Sequence, residues 1–416
     1  MTNGLTEEIE RSTTERIFLI LLLGALSVVT PFAVDMYLPA FEHIAQTFHT
    51  TSAEVSLSLS TYFIGFALGQ ILYGPLLDRF GRKPPLYVGL TVYILASFGC
   101  AIPHSLNSLI LLRFLQALGG CVAQVGAVAM VRDFFPARET AKILSLLFLI
   151  IGVSPLLAPT VGSLVMIWLG WQWIFAVLGM IALVILTLVF FFLPEGHQPD
   201  PEISLRPKPI LTGFASILRE PQFCIYALAG AFSFAGLFAY VAGSPLIFMD
   251  GFHVSARIFG GIFAVLTMGF IGGNQLNVFL LRRYSSQQIF SFALFVQVTI
   301  GVLFFAGKQQ PWLGIAPTLV LFFLFLSCIG LTYPNAAALA LAPFSRNTGS
   351  ASALLGFLQM GTGALISTGI GFFGAQAVVT LLSTTALVSL GLFLTGKKLI
   401  GVLAVQEGRS GAEFLH

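Results

Sequence analysis

Twelve stretches of mostly apolar residues run through the chain, starting near Ile17, Val55, Leu86, Leu106, Ile143, Trp173, Phe223, Ile258, Ile289, Trp312, Ser350 and Ala375. A bilayer core of ~30 Å is crossed by a helix of about 20 such residues, so each stretch can span it once. The runs are continuous rather than alternating, which excludes a transmembrane β-barrel. Only 9% of the 416 residues are charged and 57% are hydrophobic, whereas a soluble domain carries about a quarter charged. The 42 glycines and 20 prolines suit membrane helices, where neighbouring helices satisfy freed backbone groups. The expected fold is an all-α polytopic membrane protein with no soluble domain, the first span being retained as an anchor.

Basic residues set the expected orientation. With twelve spans both termini share a side, and that side collects all of the 20 Lys and Arg except Arg113, Arg257 and Lys308. The positive-inside rule makes it the cytoplasmic side. The net charge of +3 is then a topology signal and gives no argument for nucleic acid. Cys100, Cys121, Cys224 and Cys328 lie in or beside spans without CxxC spacing, as small packing residues do, and no His or Cys cluster implies a metal.

The one long polar break carries Pro194, Pro199, Pro201, Pro207 and Pro209. It divides the chain into a first six-helix bundle at 1–193, a cytoplasmic linker at 194–220, and a second bundle with a short tail at 221–416. Leu76-Leu77-Asp78-Arg79-Phe80 superimposes on Leu280-Leu281-Arg282-Arg283-Tyr284 at the end of each half's second span, and Gly69 falls on Gly273 in the same register. The expectation is two pseudo-symmetric halves made by duplication, an arrangement that places a transport site at the midplane between them.

Between two long apolar stretches one acid, three bases and two glycines are compressed into Gly74-Pro75-Leu76-Leu77-Asp78-Arg79-Phe80-Gly81-Arg82-Lys83. Its glycines permit a tight reversal, and its charges can pair with the ends of neighbouring helices. A plain positive-inside loop would also be basic, but Asp78 and the spaced glycines ask for more than charge bias. The run resembles the loop 2–3 signature of the major facilitator superfamily, GxLaDrxGrkxxl, at Gly74, Leu76, Asp78, Arg79, Gly81, Arg82, Lys83 and Leu86. The resemblance implies a cytoplasmic latch, with Asp133 in the position of the acid that ends the fourth helix and joins the charge network.

Arg113 stands about seven residues into the fourth span, where a basic side chain costs about 2.5 to 3.5 kcal/mol on insertion scales and so faces a cavity or a partner, unless it snorkels to the edge. It resembles the family's RxxQGxG pattern through Arg113, Gln116 and Gly119, with Ala117 in place of the first glycine. Asp35 lies near the outer end of the first span. Desolvation and a nearby cation act in opposite senses on a carboxyl group, so Asp35 within reach of Arg113 can exchange a proton between two access states. An interfacial Asp beside a belt tyrosine is the plainer alternative. Asp35, Tyr37, Leu38, Pro39 and Ala40 resemble the DxYLPA signature of drug/proton antiporters, in particular the Bcr/CflA multidrug-resistance branch. Ser27 and Thr30 stand where some antiporters carry a second acid, which implies a single-acid mechanism.

The fifth span carries Pro155, Pro159 and Gly162, which let it kink and pack closely. It is similar to the antiporter motif GPxxGG, with Ala158 and Ser163 replacing glycines. Gly65 and Gly69 in the second span, and Gly356, Gly361, Gly363, Gly369 and Gly371 in the eleventh, serve close helix contact. In the superfamily those two helices meet across the halves. Tyr37 and Gln116, with Tyr240, Asn335 and Gln359 from the second half, are candidate cavity residues, though each could equally be interhelical glue. The 41 phenylalanines do not by themselves define an aromatic pocket.

The expected function is therefore proton-coupled export of lipophilic or cationic small molecules by alternating access, from a bacterial inner membrane with both termini cytoplasmic. The expected energy source is the proton gradient, with no cofactor, no nucleic-acid partner and a monomer as the working unit. Transport of a metabolite, amino acid or siderophore in either direction is the alternative. A membrane enzyme or sensor is the remote one, since no clustered acids, histidines or signalling segment accompany the spans.

Overall fold

The structure is a computed structural model and describes residues 13–195, 199–200, 207–307, 314–344 and 348–413. Arg11, Arg206, Lys308, Arg346, Pro201, the acidic residues Glu7, Glu8 and Glu10, and the expected start of the tenth span at Trp312 lie outside them. Twelve helical segments are long and apolar enough to cross a membrane. In the first half, α1 (Thr13–Asp35) and a short α2 (Phe41–Thr47) together make the first span. It is followed by α3 (Ser52–Phe80), α4 (Lys83–Ala101), α5 (Leu106–Phe134), α6 (Ala137–Leu169) and α7 (Gln172–Phe192). After α8 (Pro207–Ile217) come α9 (Pro221–Pro245), α10 (Ala256–Leu280), α11 (Ser286–Gly307), α12 (Ile315–Leu341), α13 (Thr348–Phe373) and α14 (Ala375–Glu413).

Local chemistry sets several boundaries. The Ser105 hydroxyl accepts from the Ser108 N–H and Ser108 reaches back, closing a capping box that starts α5. Thr51 caps α3 by accepting from the Glu54 N–H at 3.2 Å. At the other end of α3 the chain reverses at Gly81, whose φ of 82° suits a residue without Cβ. Gly74, expected to share in this reversal, instead lies inside α3, where an added Cβ would meet nothing within 4 Å. The turn needs one left-handed residue, and Gly81 supplies it.

The two halves repeat one packing scheme. In the first, α1 packs on α5, α6 and α7, α5 on α3 and α4, and α4 on α7; in the second, α9 packs on α12, α13 and α14, α12 on α10 and α11, and α11 on α14. The glycines keep the register. A Cβ on Gly65 would lie 2.5 Å from the Phe114 carbonyl oxygen on α5, and one on Gly269 would lie 2.6 Å from that of Phe323 on α12. One on Gly69 would lie 2.7 Å from the Cys121 Cβ, and one on Gly273 2.1 Å from the Ser327 carbonyl oxygen. Gly65 and Gly69 thus serve close helix contact as expected, pressing α3 onto α5 of its own half. The contact of α3 with α13 uses glycines of α13: Gly356 faces Gln70, and Gly371 faces Leu57.

The halves meet along two symmetry-related seams, α3 with α13 and α6 with α10. The first runs from Ala53 and Gly374 to Gln70 and Gly356, with the hydroxyls of Ser60 and Ser367 joined at 2.8 Å. The polar break between the halves is partly structured: α8 occupies it, and its Phe214 and Ile217 join a core cluster of the second half that includes Phe223, Phe290 and Phe393. Prolines at 207 and 209 read as a linker because they cannot sit mid-helix, yet proline is well suited to a helix's first turn.

Candidate functional site

At the Gly81 turn the charged run folds onto its own half. Arg82 is buried and binds Asp133 with both arms, Nε to Oδ2 at 2.6 Å and Nη2 to Oδ1 at 3.3 Å, while Nη1 donates to Asp78 at 2.8 Å. Burial alone would lower the pKa of this guanidinium, but the bonds and charges of Asp133 and Asp78 outweigh it and raise the value above its usual range. The Arg82 backbone N–H donates to Glu195 at 3.0 Å, so the first residue positions after α7 also fasten the turn. Glu195 is absent from the sequence reading, because a single acid in a polar break carries no signal of what it caps. Arg79 lies over the Phe80 ring at 5.8 Å, and Lys83 opens α4.

At the opposite end α1 stops at Asp35. Leu38 to Ala40 form a single 3-10 turn before α2, since Pro39 cannot donate to a continuing α-helix. The break is clamped from α6, where a Cβ on Gly162 would lie 2.0 Å from the Met36 carbonyl oxygen. The next residue, Ser163, donates to the Pro159 carbonyl at 2.8 Å and to the Ala256 carbonyl across the halves at 3.0 Å. The fifth-span motif therefore holds the Asp35 corner on one side and α10 on the other.

Asp35 is buried at this corner, within electrostatic reach of Tyr62 on α3 and Tyr240 on α9. Tyr37 is fully buried, with its hydroxyl 2.5 Å from that of Ser58. Arg113 is fully buried as well. Its guanidinium carbon sits 4.3 Å from the Tyr62 ring centroid, 4.8 Å from that of Tyr37 and 5.7 Å from that of Phe175. Nη1 donates to the Gln116 side-chain Oε1 at 2.6 Å, and Gln116 Nε2 donates to the Ser97 hydroxyl at 2.7 Å. Among the described residues no ion pair joins Asp35 to Arg113. Both lie within electrostatic reach of Tyr62. Among the described residues Nε and Nη2 of Arg113 are buried without a hydrogen-bond partner, and the Tyr62 hydroxyl is turned toward that of Thr30.

In the second half α9 and α12, the counterparts of α1 and α5, contain no Asp, Glu, Lys or Arg. Tyr240 stacks on Phe263 at 5.1 Å and donates to its carbonyl at 3.4 Å. Asn335 spends its amide on Asn277 at 2.6 Å and on the Leu331 carbonyl at 2.8 Å, so it joins α12 to α10. Gln359 is buried, and among the described residues its amide nitrogen has no hydrogen-bond partner. A polar knot unforeseen from sequence ties Ser233 to Gln297 and Thr332, each at 2.7 Å. It joins α9, α11 and α12, the counterparts of α1, α4 and α5 around Arg113. A lone Gln297 in the middle of an apolar span was its signal. Among the described residues no three His, Cys, Asp or Glu gather as they would around a metal ion.

Residues 23–368 match the family described as the Major Facilitator Superfamily. An MFS-type transporter named YdgK, from Bacillus subtilis (strain 168), is 31% identical over 395 residues, covering 93% of this chain and 97% of that one. The Bicyclomycin resistance protein homolog of Haemophilus influenzae is 30% identical over 347 residues, 83% of this chain and 87% of its own. The Multidrug resistance protein MdtL of Klebsiella pneumoniae (strain 342) is 30% identical over 89% of this chain and 93% of its own. Among solved structures a D-xylose-proton symporter aligns with TM-score 0.73 over 91% of this chain and 97% of its own, at 15% identity, a likeness of fold alone. With twelve spans in two matching halves, and relatives that are transporters rather than enzymes, the chain belongs to the major facilitator superfamily, as a secondary transporter related to multidrug-resistance proteins.

Proposed function

We propose that the protein is a proton-coupled exporter of lipophilic or cationic small molecules, of the Bcr/CflA branch, working as a monomer in a bacterial inner membrane with both termini cytoplasmic. The Asp35 corner then faces outward and the Gly81 turn faces the cytoplasm. The two bundles, 1–193 and 221–416, rock about the seams α3–α13 and α6–α10, tethered by 194–220. The observation that carries this reading is a single buried carboxyl group at the corner where α1 breaks, seated between the halves and free of any ion pair among the described residues.

A carboxyl group so placed is sensitive to which face admits water. Deprotonated from the cytoplasmic side, Asp35 leaves a negative charge that favours a cationic or polarisable substrate. Reprotonated from outside, it favours release. Export follows if proton and substrate stabilise different states, because a ligand shifts a conformational equilibrium only through its differential affinity. The names of the Haemophilus and Klebsiella relatives support a drug-like substrate. Arg113 fixes the electrostatic level of the site without neutralising Asp35.

The test is drug uptake into inverted membrane vesicles energised by a proton gradient. Wild type is expected to accumulate substrate and to release protons on binding it in detergent, and Asp35→Asn to lose both while folding normally. Unchanged gradient-driven transport by Asp35→Asn would overturn the reading.

A further inference from the structure

The two matching turns at the Gly81 end of the molecule are built with opposite charge logic. In the first half Arg82 is enclosed by Asp78 and Asp133, so the turn is satisfied within its own bundle. In the second half Arg282 stands in the register position of Asp78, and α12 contains no acid to match Asp133. Arg282 lies over the Phe279 ring at 5.3 Å. Arg283 is exposed, and among the described residues it takes part in no ion pair. Its own bundle has little to offer it: between Pro221 and Lys397 the sequence holds one acid, Asp250, beyond the far end of α9.

An acid suited to Arg283 lies across the halves. Glu139 sits in the first turn of α6, where the helix dipole favours a carboxylate, and pairs there with Arg16 of α1. The seam of α6 with α10 shows where it points. Ser163 donates to the Ala256 carbonyl at 3.0 Å, a Cβ on Gly260 would lie 3.3 Å from the Thr160 hydroxyl, and one on Gly152 would lie 4.0 Å from Ile271. Following that antiparallel register for about 20 Å more, at ~1.5 Å per residue, brings Glu139 opposite Arg283 to within one turn. The companion seam, read on past Gln70 and Gly356, likewise brings Asp78 opposite the start of α13. There a Cβ on Gly349 would meet nothing within 4 Å, and the Asp78 side chain is 51% exposed. The halves touch toward the Asp35 corner and stand apart at the Gly81 end.

We propose that Glu139 is a partner-switching acid, which pairs with Arg16 while the halves stand apart at the Gly81 end and with Arg283 when they close there. This rests on the alternating-access reading and adds to it a part for the second half's turn, whose bases act on the other bundle and not on their own. One ion pair replaces another, so neither state leaves the carboxylate without a cation. The Arg16 and Glu139 side chains are 43% and 39% exposed, which keeps each pair weak enough to exchange. Arg82, buried and held by two acids, stays with its own half throughout.

The test counts how often these ends meet. In the purified full chain with Cys100, Cys121, Cys224 and Cys328 replaced, Thr140→Cys and Tyr284→Cys are joined by a short bismaleimide, and the rate is normalised to labelling of each single cysteine. Arg283→Ala is expected to slow cross-linking about two- to fivefold and Arg16→Ala to speed it by a similar factor, the range of one exposed ion pair. Glu139→Gln removes both pairs together, so in its presence each of those substitutions should fall silent. Arg283→Glu should slow cross-linking further, and adding Glu139→Lys should bring it back at least to the starting rate. If Arg283→Ala acts equally with and without Glu139→Gln, Arg283 is an ordinary exposed base of that turn and the switch is overturned. Arg16→Ala leaving the rate unchanged or lowering it would overturn it as well, and so would the absence of cross-linking in every variant. The assay needs neither drug nor proton gradient, so failure of the export reading would appear in the Asp35→Asn vesicles and leave these rates intact.

Discussion

Arg113 is a cation buried without a carboxylate, and the magnitudes explain how it is tolerated. Burial at span depth costs about 2.5 to 3.5 kcal/mol. A desolvated cation–π contact returns up to about 2 kcal/mol and a charged hydrogen bond about 1.5 to 3 kcal/mol, so three rings and Gln116 can carry it. The arrangement depends on a flat guanidinium that can face several rings while donating from its edge. Arg113→Lys keeps the charge but loses that geometry. The expected result is at least tenfold slower transport, with a melting temperature several degrees lower, read by vesicle uptake and by thermal unfolding in detergent; unchanged values would refute the cage. Gly162→Ala tests the neighbouring corner. Its Cβ would fall 2.0 Å from the Met36 carbonyl oxygen, a backbone atom that cannot swing aside, so α1 must shift and carry Asp35 with it. Transport is expected to be lost although the substitution adds one methyl group. Asp35 and Arg113 stand out in sequence because a charge in an apolar span is conspicuous. Tyr62 and Phe175 do not, because 41 phenylalanines and nine tyrosines look alike until packing selects among them.

At the scale of elements, hydropathy locates the spans, since the bilayer sets both their length and their composition. It says less about where a span bends or what lies between spans. Pro39 was visible in sequence, but the 3-10 turn it starts depends on Gly162 pressing from α6. Helix α8 escaped notice because its order comes from Phe214 and Ile217 packing on a core formed by distant residues. The Gly81 turn is the better-specified case, since Asp78, Arg82 and Asp133 were all expected to meet and do. Arg82 holds Asp133 with two nitrogens, which a lysine cannot reproduce. Arg82→Lys and Asp133→Asn are each expected to destabilise the protein by about 1–3 kcal/mol. The double variant should cost much less than their sum, because residues in one bonded network are not additive. Additive losses in chemical unfolding would show that the pair acts through separate contacts.

At the scale of the molecule, duplication was legible only in a five-residue match and one glycine, because apolar spans diverge freely while their packing scheme is kept. Of the seams between the halves, that of α3 with α13 was implied by the resemblance alone, and that of α6 with α10 was not legible. They depend on which faces of α3, α6, α10 and α13 are bare enough to touch, and small residues occur on several faces of each. The Ser60–Ser367 hydrogen bond gives the seam of α3 with α13 a direct test, since the two hydroxyls are 2.8 Å apart on opposite halves. With Cys100, Cys121, Cys224 and Cys328 replaced, Ser60→Cys with Ser367→Cys is expected to form a disulfide under mild oxidation. Cutting an engineered protease site in the 194–220 segment would then leave the halves joined until reductant is added. If transport requires the halves to part along this seam, the oxidised protein should carry no substrate and regain activity on reduction, while either single cysteine variant stays active throughout. Full transport by the cross-linked protein would mean that α3 and α13 stay together through the cycle, and the moving seam would then have to be α6 with α10.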